Sequence, residues 1–238
     1  MQPVSLAQPS PASTPPAPPP APLVLRAGSI ALVDPRTGAL LGVRYLGERQ
    51  EIHALDPDFG EVLTALRSLS DGDIGALSSD LDGNRWVVSF VHDRDPGATY
   101  LYDHRTGESR LLFLPLPHLD PTQLAPMEPV TITARDGRAL PSFLTLPQGV
   151  APVDLPLVLL VHGGPWFRDT WGYHGDVQLL ANRGYAVLQV NFRGSAGYGK
   201  AHMQAGIGEL AGAMHDDLID AVEWAVAEGI ADRARLAI

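Results

Sequence analysis

In the stretch Leu155-Pro156-Leu157-Val158-Leu159-Leu160-Val161-His162-Gly163-Gly164-Pro165, seven residues without a charge run straight into a histidine and two adjacent glycines. A nearly continuous apolar run of this length predicts a strand buried on both faces, the environment of parallel sheets. Residues 172–183 have helical character, Gly184 stops that helix, and residues 185–191 form a second buried-type strand. Together these make a strand-helix-strand unit with a parallel pair. Residues 209–228 then set Leu210, Met214, Leu218, Ala221, Val222 and Ala225 on one helical face, and residues 235–238 begin a further strand. Upstream, residues 130–134 and 142–146 predict a hairpin around Asp136-Gly137. From about residue 126 onward the pattern is that of a doubly wound α/β sheet.

Before that point the pattern is different. Short apolar runs at residues 29–33, 85–91, 99–102 and 109–113 are divided by turn residues, as in an all-β unit. The sequence Asp34-Pro35-Arg36-Thr37-Gly38 returns as Asp103-His104-Arg105-Thr106-Gly107, each copy followed by apolar residues. A repeated hairpin turn of this kind is expected in β-propeller blades, and also occurs in other antiparallel domains. Residues 59–69 interrupt the strands with a helical spacing of Val62, Leu63, Leu66 and Leu69. Proline becomes dense between residues 115 and 129 and marks a domain boundary. The expected division is therefore a Pro/Ala-rich disordered tail over residues 1–25, a partial propeller over 26–125, and part of an α/β domain over 126–238. The tail has too little branched or aromatic side-chain area to offset its ordering entropy; it reads as a linker or an extra gene start, with a docking ligand as the alternative.

Composition narrows the function. The chain has 238 residues, a net charge of −10 and no cysteine. Its acidity disfavours nucleic-acid or anionic-membrane binding. Without cysteine there is no disulfide, thiolate metal site or cysteine nucleophile. The proline-broken start, with no positive charge before Arg26, does not resemble a secretory signal, and no run reaches the roughly 18 to 20 apolar residues of a membrane span. A cytoplasmic protein is expected.

The site candidate is residues 162–164. Adjacent glycines after a buried strand let backbone N–H groups approach a developing oxyanion with no side chain in the way; the plainer reading is a glycine-rich turn. Trp166, Phe167, Trp171 and Tyr173 would line a cleft beside it or pack a domain interface. His215-Asp216 is no dyad, because adjacent helical residues project about 100° apart. His53, His92, His104, His118, His174 and His202 lack metal-ligand spacing, and residues 194–199 lack a phosphate-loop pattern, so neither metal nor cofactor is expected.

The order of motifs is more specific than any one of them. His162-Gly163-Gly164-Pro165 is followed by Arg168-Asp169, Trp171-Gly172, Asn182-Arg183-Gly184-Tyr185, Asn191-Phe192-Arg193-Gly194-Ser195, Gly197-Tyr198-Gly199 and His215-Asp216-Asp217-Leu218. This series resembles the catalytic domain of prolyl oligopeptidase-type serine peptidases, in the branch with acylaminoacyl- and dipeptidyl-peptidases. Ser79-Asp80, Arg85-Trp86-Val87-Val88, Tyr100-Leu101-Tyr102-Asp103, Pro126-Met127-Glu128-Pro129-Val130 and Ala134-Arg135-Asp136-Gly137 resemble the last propeller blade and the crossover into that domain. The resemblance implies an α/β-hydrolase preceded by a β-propeller that screens substrate size, with short peptides cleaved by a Ser, Asp and His triad. His162, Gly163 and Gly164 would form the oxyanion loop, and Trp166, Phe167 and Arg193 would face the substrate cleft.

The same resemblance sets a test. The nucleophile elbow Gly-x-Ser-x-Gly is expected on the turn after the strand that begins near Arg235, and none occurs up to Ile238. Arg193-Gly194-Ser195-Ala196-Gly197 lacks the first glycine, so Ser195 reads as a loop residue. The Asp and His follow the serine in chain order. The expectation is thus a fragment, latent or inactive alone and marginally stable, with an open sheet edge and too few blades to close a propeller. The competing readings are an esterase on the same core, and a non-catalytic module or half of a split enzyme whose partner is the missing C-terminal half.

Overall fold

The computed structural model describes residues 29–164 and 166–238. The expected tail over residues 1–25 lies outside them. The described chain forms three sheets. The first is antiparallel, with β1 (Ile30–Val33), β2 (Leu40–Leu46) and β3 (Gln50–Ala54) in sequential order. Helix α1 (Pro57–Arg67) follows. The Asp56 carboxylate accepts the Phe59 N–H at 2.8 Å and Pro57 opens the first turn, a start that satisfies one orphan donor and wastes none on proline. The second sheet is β4 (Asp73–Ser79), β5 (Arg85–Val91), β6 (Thr99–Asp103) and β7 (Glu108–Phe113), again sequential and antiparallel. One apolar core joins these layers, combining Ile52 of β3, Phe59, Val62, Leu63 and Leu66 of α1, and Ile74, Trp86, Val88, Phe90 and Tyr102 of β4 to β6.

The two copies of the repeated pentapeptide close their hairpins alike. Asp34 Oδ1 accepts the N–H groups of Arg36 and Thr37, both at 2.7 Å, and Asp103 Oδ1 accepts that of Arg105 at 3.1 Å. Gly38 and Gly107 then adopt φ of +71° and +72°, values open to glycine at no steric cost.

The third sheet contains β8 (Met127–Thr133), β9 (Ala139–Thr145), β10 (Leu155–Leu160), β11 (Ala186–Val190) and β12 (Ala231–Ala237), in the order β12-β10-β11-β9-β8. β8 and β9 are the expected hairpin, β9 runs antiparallel to β11, and β10 is parallel to both β11 and β12. Helices α2 (Gly175–Ala181), α3 (Lys200–Gln204) and α4 (Ala213–Ala227) complete it. On one face Met214, Ala221 and Ala225 of α4 pack on Leu157, Leu159, Ala186, Leu188 and Val190. On the other, Val177 of α2 packs with Met127, Phe143 and Val187.

The structure revises one expectation about burial. β11 is buried at every position, whereas β10 alternates, with Leu155, Leu157 and Leu159 buried and its other face only partly covered. The cause is placement: α2 sits against β11, so β10 is fully covered only on its α4 side.

Candidate active site

The strand order makes β10 a switch point. The chain leaves β10 through residues 162–164, crosses by α2 to β11 on one side, then returns through α3 and α4 to β12 on the other, where Val158 pairs with Ala237. In open α/β sheets the crevice outside the carboxyl ends of strands that diverge in this way is where ligands bind. The His162-Gly163-Gly164 loop occupies the rim of that crevice.

His162 is held on three sides. Its ring stacks on Phe192 at 4.6 Å between centroids and 13° between planes, and meets the edge of Phe167 at 6.4 Å. Its Nε2 lies 2.8 Å from Ser195 Oγ and its Nδ1 3.0 Å from the Gly163 carbonyl oxygen. Gly163 has open space where a Cβ would go. Gly164 has φ +132°, and a Cβ there would stand 2.7 Å from the Trp166 nitrogen and 2.9 Å from that of Phe167, so only glycine fits without backbone movement. Trp166 and Phe167 are 50% and 66% exposed beside this loop.

Behind the loop lies a buried polar cluster. Asp169 N–H donates to Asn191 Oδ1 at 2.8 Å, and Gln189 Nε2 donates to Asp169 Oδ1 at 3.0 Å. Burial pushes the Asp169 carboxyl above the usual carboxylate range, against the pull of His162, Gln189, His174 and Arg168. Arg168 donates to the Gly47 carbonyl of the β2–β3 turn at 3.0 Å and to the Tyr198 hydroxyl at 2.7 Å, with its guanidinium 4.2 Å above the Tyr198 ring. Burial raises the Tyr198 phenol to about 12, so it stays protonated. A cavity of about 590 Å³ opens alongside, lined by Tyr45, Glu48, Glu51, Gly197 and Tyr198 among others.

The family model described as the prolyl oligopeptidase family matches residues 171–238. Dipeptidyl aminopeptidase BIII of Pseudoxanthomonas mexicana is 46% identical over 214 residues, covering 87% of this chain and 31% of that protein. The chain belongs to the prolyl oligopeptidase family. Dipeptidyl peptidase family member 6 of Caenorhabditis elegans is 33% identical over 229 residues, covering 87% of the chain and 31% of its own length. Among solved structures, a Mycobacterium tuberculosis puromycin-hydrolyzing peptidase superposes with a TM-score of 0.67 at 26% identity, covering 89% of this chain and 32% of that one. The chain thus spans about a third of the length of the family members it matches.

One residue sits elsewhere than the sequence suggested, and others take the plainer of their expected places. Arg193, expected in the cleft, is turned into the domain. Its Nε and Nη2 donate to the two Asp217 oxygens at 2.8 and 2.6 Å, and Nη2 also lies 2.9 Å from Asp136. Asp217 is fully buried and the Arg193 side chain 9% exposed, so its planar fork is committed to carboxylates and cannot meet a substrate. Those partners hold the guanidinium charged above its already high ordinary value. Trp171 packs an interface, donating its indole N–H to the Met127 carbonyl at 2.9 Å beneath the Arg49 guanidinium at 3.8 Å. Asp216 is bound by Arg135 at 3.0 Å. Ser195 does lie in a turn, yet it is wholly buried and pairs with His162, a partnership across 33 residues that no periodicity predicts.

Proposed function

We propose that this chain supplies the propeller–hydrolase junction and the oxyanion loop of a serine peptidase that cleaves short peptides by acyl transfer. The observation that carries the reading is the placement of the Gly163 and Gly164 backbone at the switch-point crevice. There a Cβ on Gly163 would meet only open space and Gly164 tolerates no side chain. Donors fixed in advance toward a developing negative charge are the largest single contribution to acyl-transfer catalysis in many enzymes. Trp166 and Phe167, exposed beside the loop, would offer apolar contact to a peptide side chain. The division into a tail at 1–25, a propeller part at 26–125 and a hydrolase part at 126–238 belongs to this same proposal.

Residues 1–238 contain no Gly-x-Ser-x-Gly sequence, and Ser195 is too deeply buried for a substrate carbonyl to reach it. In this reading the attacking serine and its Asp and His partners belong to a part of the enzyme that these residues do not include, and the isolated chain is inactive. Full-length protein should hydrolyse dipeptide p-nitroanilides and be labelled by a fluorophosphonate. Hydrolysis of p-nitrophenyl esters without any amide cleavage would shift the reading to an esterase, and absence of both reactions would leave a binding role.

A further inference from the structure

We propose that Arg168 is a positioning residue for the oxyanion loop: its planar fork bridges the β2–β3 turn and Tyr198, so the placement of Gly164 depends on how that turn is seated against the mixed sheet. This rests on the reading of residues 163–164 as oxyanion donors and extends it to a charged side chain a few residues further along the same loop.

The partners of Arg168 come from two layers. Upstream, Nη2 donates to the Gly47 carbonyl at 3.0 Å and Nη1 reaches the Leu46 carbonyl at 3.5 Å. On the crevice side, Nη2 donates to the Tyr198 hydroxyl at 2.7 Å and the guanidinium lies 4.2 Å above that ring. Asn191 Nδ2 donates to the same hydroxyl at 2.9 Å and holds it in place. Arg168 Nε turns back to the Asp169 carbonyl at 3.2 Å. Gly197 makes room for the fork, since a Cβ there would collide with Nη1. Each of these acceptors is a neutral oxygen, and among the described residues no carboxylate comes within ion-pair distance of Arg168. A half-buried charge without an opposite partner does little for stability, because burial penalises it and neutral oxygens return only part of the loss. The fork does have a geometric use. Three of its nitrogens serve four oxygens at once, which a single ammonium could not do.

The path from Arg168 back to Gly164 is short and tight. A Cβ on Gly164 would stand 2.7 Å from the Trp166 nitrogen and 2.9 Å from that of Phe167, so these backbones are in direct contact. The Phe167 carbonyl accepts the Ala196 N–H at 2.8 Å, and the Asp169 N–H is held by Asn191 Oδ1 at 2.8 Å. The segment from Gly164 to Asp169 therefore has little slack to absorb a shift at residue 168. A turn that belongs to the first antiparallel sheet thus reaches the crevice through one guanidinium and one short loop.

The test uses full-length protein and a dipeptide p-nitroanilide, with kcat and KM measured separately. Arg168→Ala and Arg168→Lys are each expected to lower kcat about tenfold to a hundredfold with KM nearly unchanged, the effect of a misplacement of about 1 Å. Added ethylguanidinium should restore kcat in Arg168→Ala, and ethylammonium at the same concentration should not; equal rescue by both contradicts a role for the fork. One glycine inserted between Gly47 and Glu48 displaces the upstream acceptors. It should lower kcat by a similar factor in the parent protein and add nothing in Arg168→Ala, whereas effects that add in full break the link to the turn. Unaltered kcat in folded Arg168→Ala overturns the proposal, as does a change confined to KM; if the alanine variant does not fold, the lysine variant decides in the same terms. Gly164→Ala keeps the two ideas apart. Intact kcat there sinks the oxyanion reading, and lowered kcat there with full activity in the arginine variants sinks this inference alone.

Discussion

Arg193 and Asp217 show how a charged side chain can be written next to a glycine loop and still belong to the interior. Two charges this far from water are stable only because each satisfies the other, and removing one partner of such a pair costs about 3 to 5 kcal/mol. Asp217→Asn should therefore destabilise the protein by that amount in urea unfolding; a loss below about 1 kcal/mol would show that Asp136 alone can hold the guanidinium. His202 makes a second, pH-dependent claim. Its folded pKa is lowered below 6.5 by burial, so between the two values the unfolded chain binds more protons. The stability this residue contributes is present above pH 6.5 and is lost as pH falls through the folded value. Urea midpoints should drop from pH 7 to pH 5 in wild type and less steeply in His202→Gln, which can keep the donor to Phe192; equal slopes would contradict the assignment. At this scale the sequence displayed the residues but not their partners. His162, Gly163 and Gly164 were visible because adjacent residues carry the signal. Arg193 is misplaced by sequence reading because its partner Asp217 lies 24 residues away, and the tie between Ser195, a loop residue as expected, and His162 spans 33 residues.

Gly184 illustrates what was legible among the elements. Its N–H reaches the Ala181 carbonyl at 3.0 Å and that of Tyr185 reaches Leu180 at 3.3 Å, the paired bonds of a Schellman close, with φ +88°. Because a Cβ there would meet nothing within 4 Å, Gly184→Ala isolates the backbone cost and should lower stability by about 1 to 2 kcal/mol. No loss in a thermal melt would contradict a left-handed close in solution. Other boundaries moved for local reasons. The helix expected from residue 209 starts as α4 at Ala213, because Gly212 holds φ −109° and ψ −120° and the Glu209 carboxylate accepts the Ala213 N–H at 3.0 Å. β2, β3 and β4 escaped detection: Gly42 and Arg44 break the alternation of the first, Gln50, Glu51 and His53 leave the second mostly polar, and the third, Asp-Ile-Gly-Ala-Leu-Ser-Ser, is small and polar. β12 begins four residues earlier than its apolar signal. Asp232, Arg233 and Arg235 mask it, and these side chains are satisfied on the surface by one another and by Glu223.

In the whole molecule, the upstream sheets and the mixed sheet meet through directed polar contacts. Asp93 accepts the Met127 N–H at 2.9 Å while its carbonyl accepts from Gln178 at 3.1 Å, and Arg49 lies over Trp171. Arg168 extends this seam to the crevice, since it begins two residues after Trp166 and ends on the Gly47 carbonyl. The rim of the candidate site is thereby fixed from both sides, by the β2–β3 turn and by the Asn191–Tyr198 region. In the proposed function, the Gly164 backbone meets an anion at this rim. The most direct measurement is kcat for Gly164→Ala in full-length protein on a dipeptide p-nitroanilide, alongside the affinity of a peptidyl boronate that mimics the tetrahedral intermediate. A fall in kcat of about 10² to 10³ with little change in KM, matched by weaker boronate binding, is the predicted result. Wild-type kcat and boronate affinity in the folded variant would contradict it.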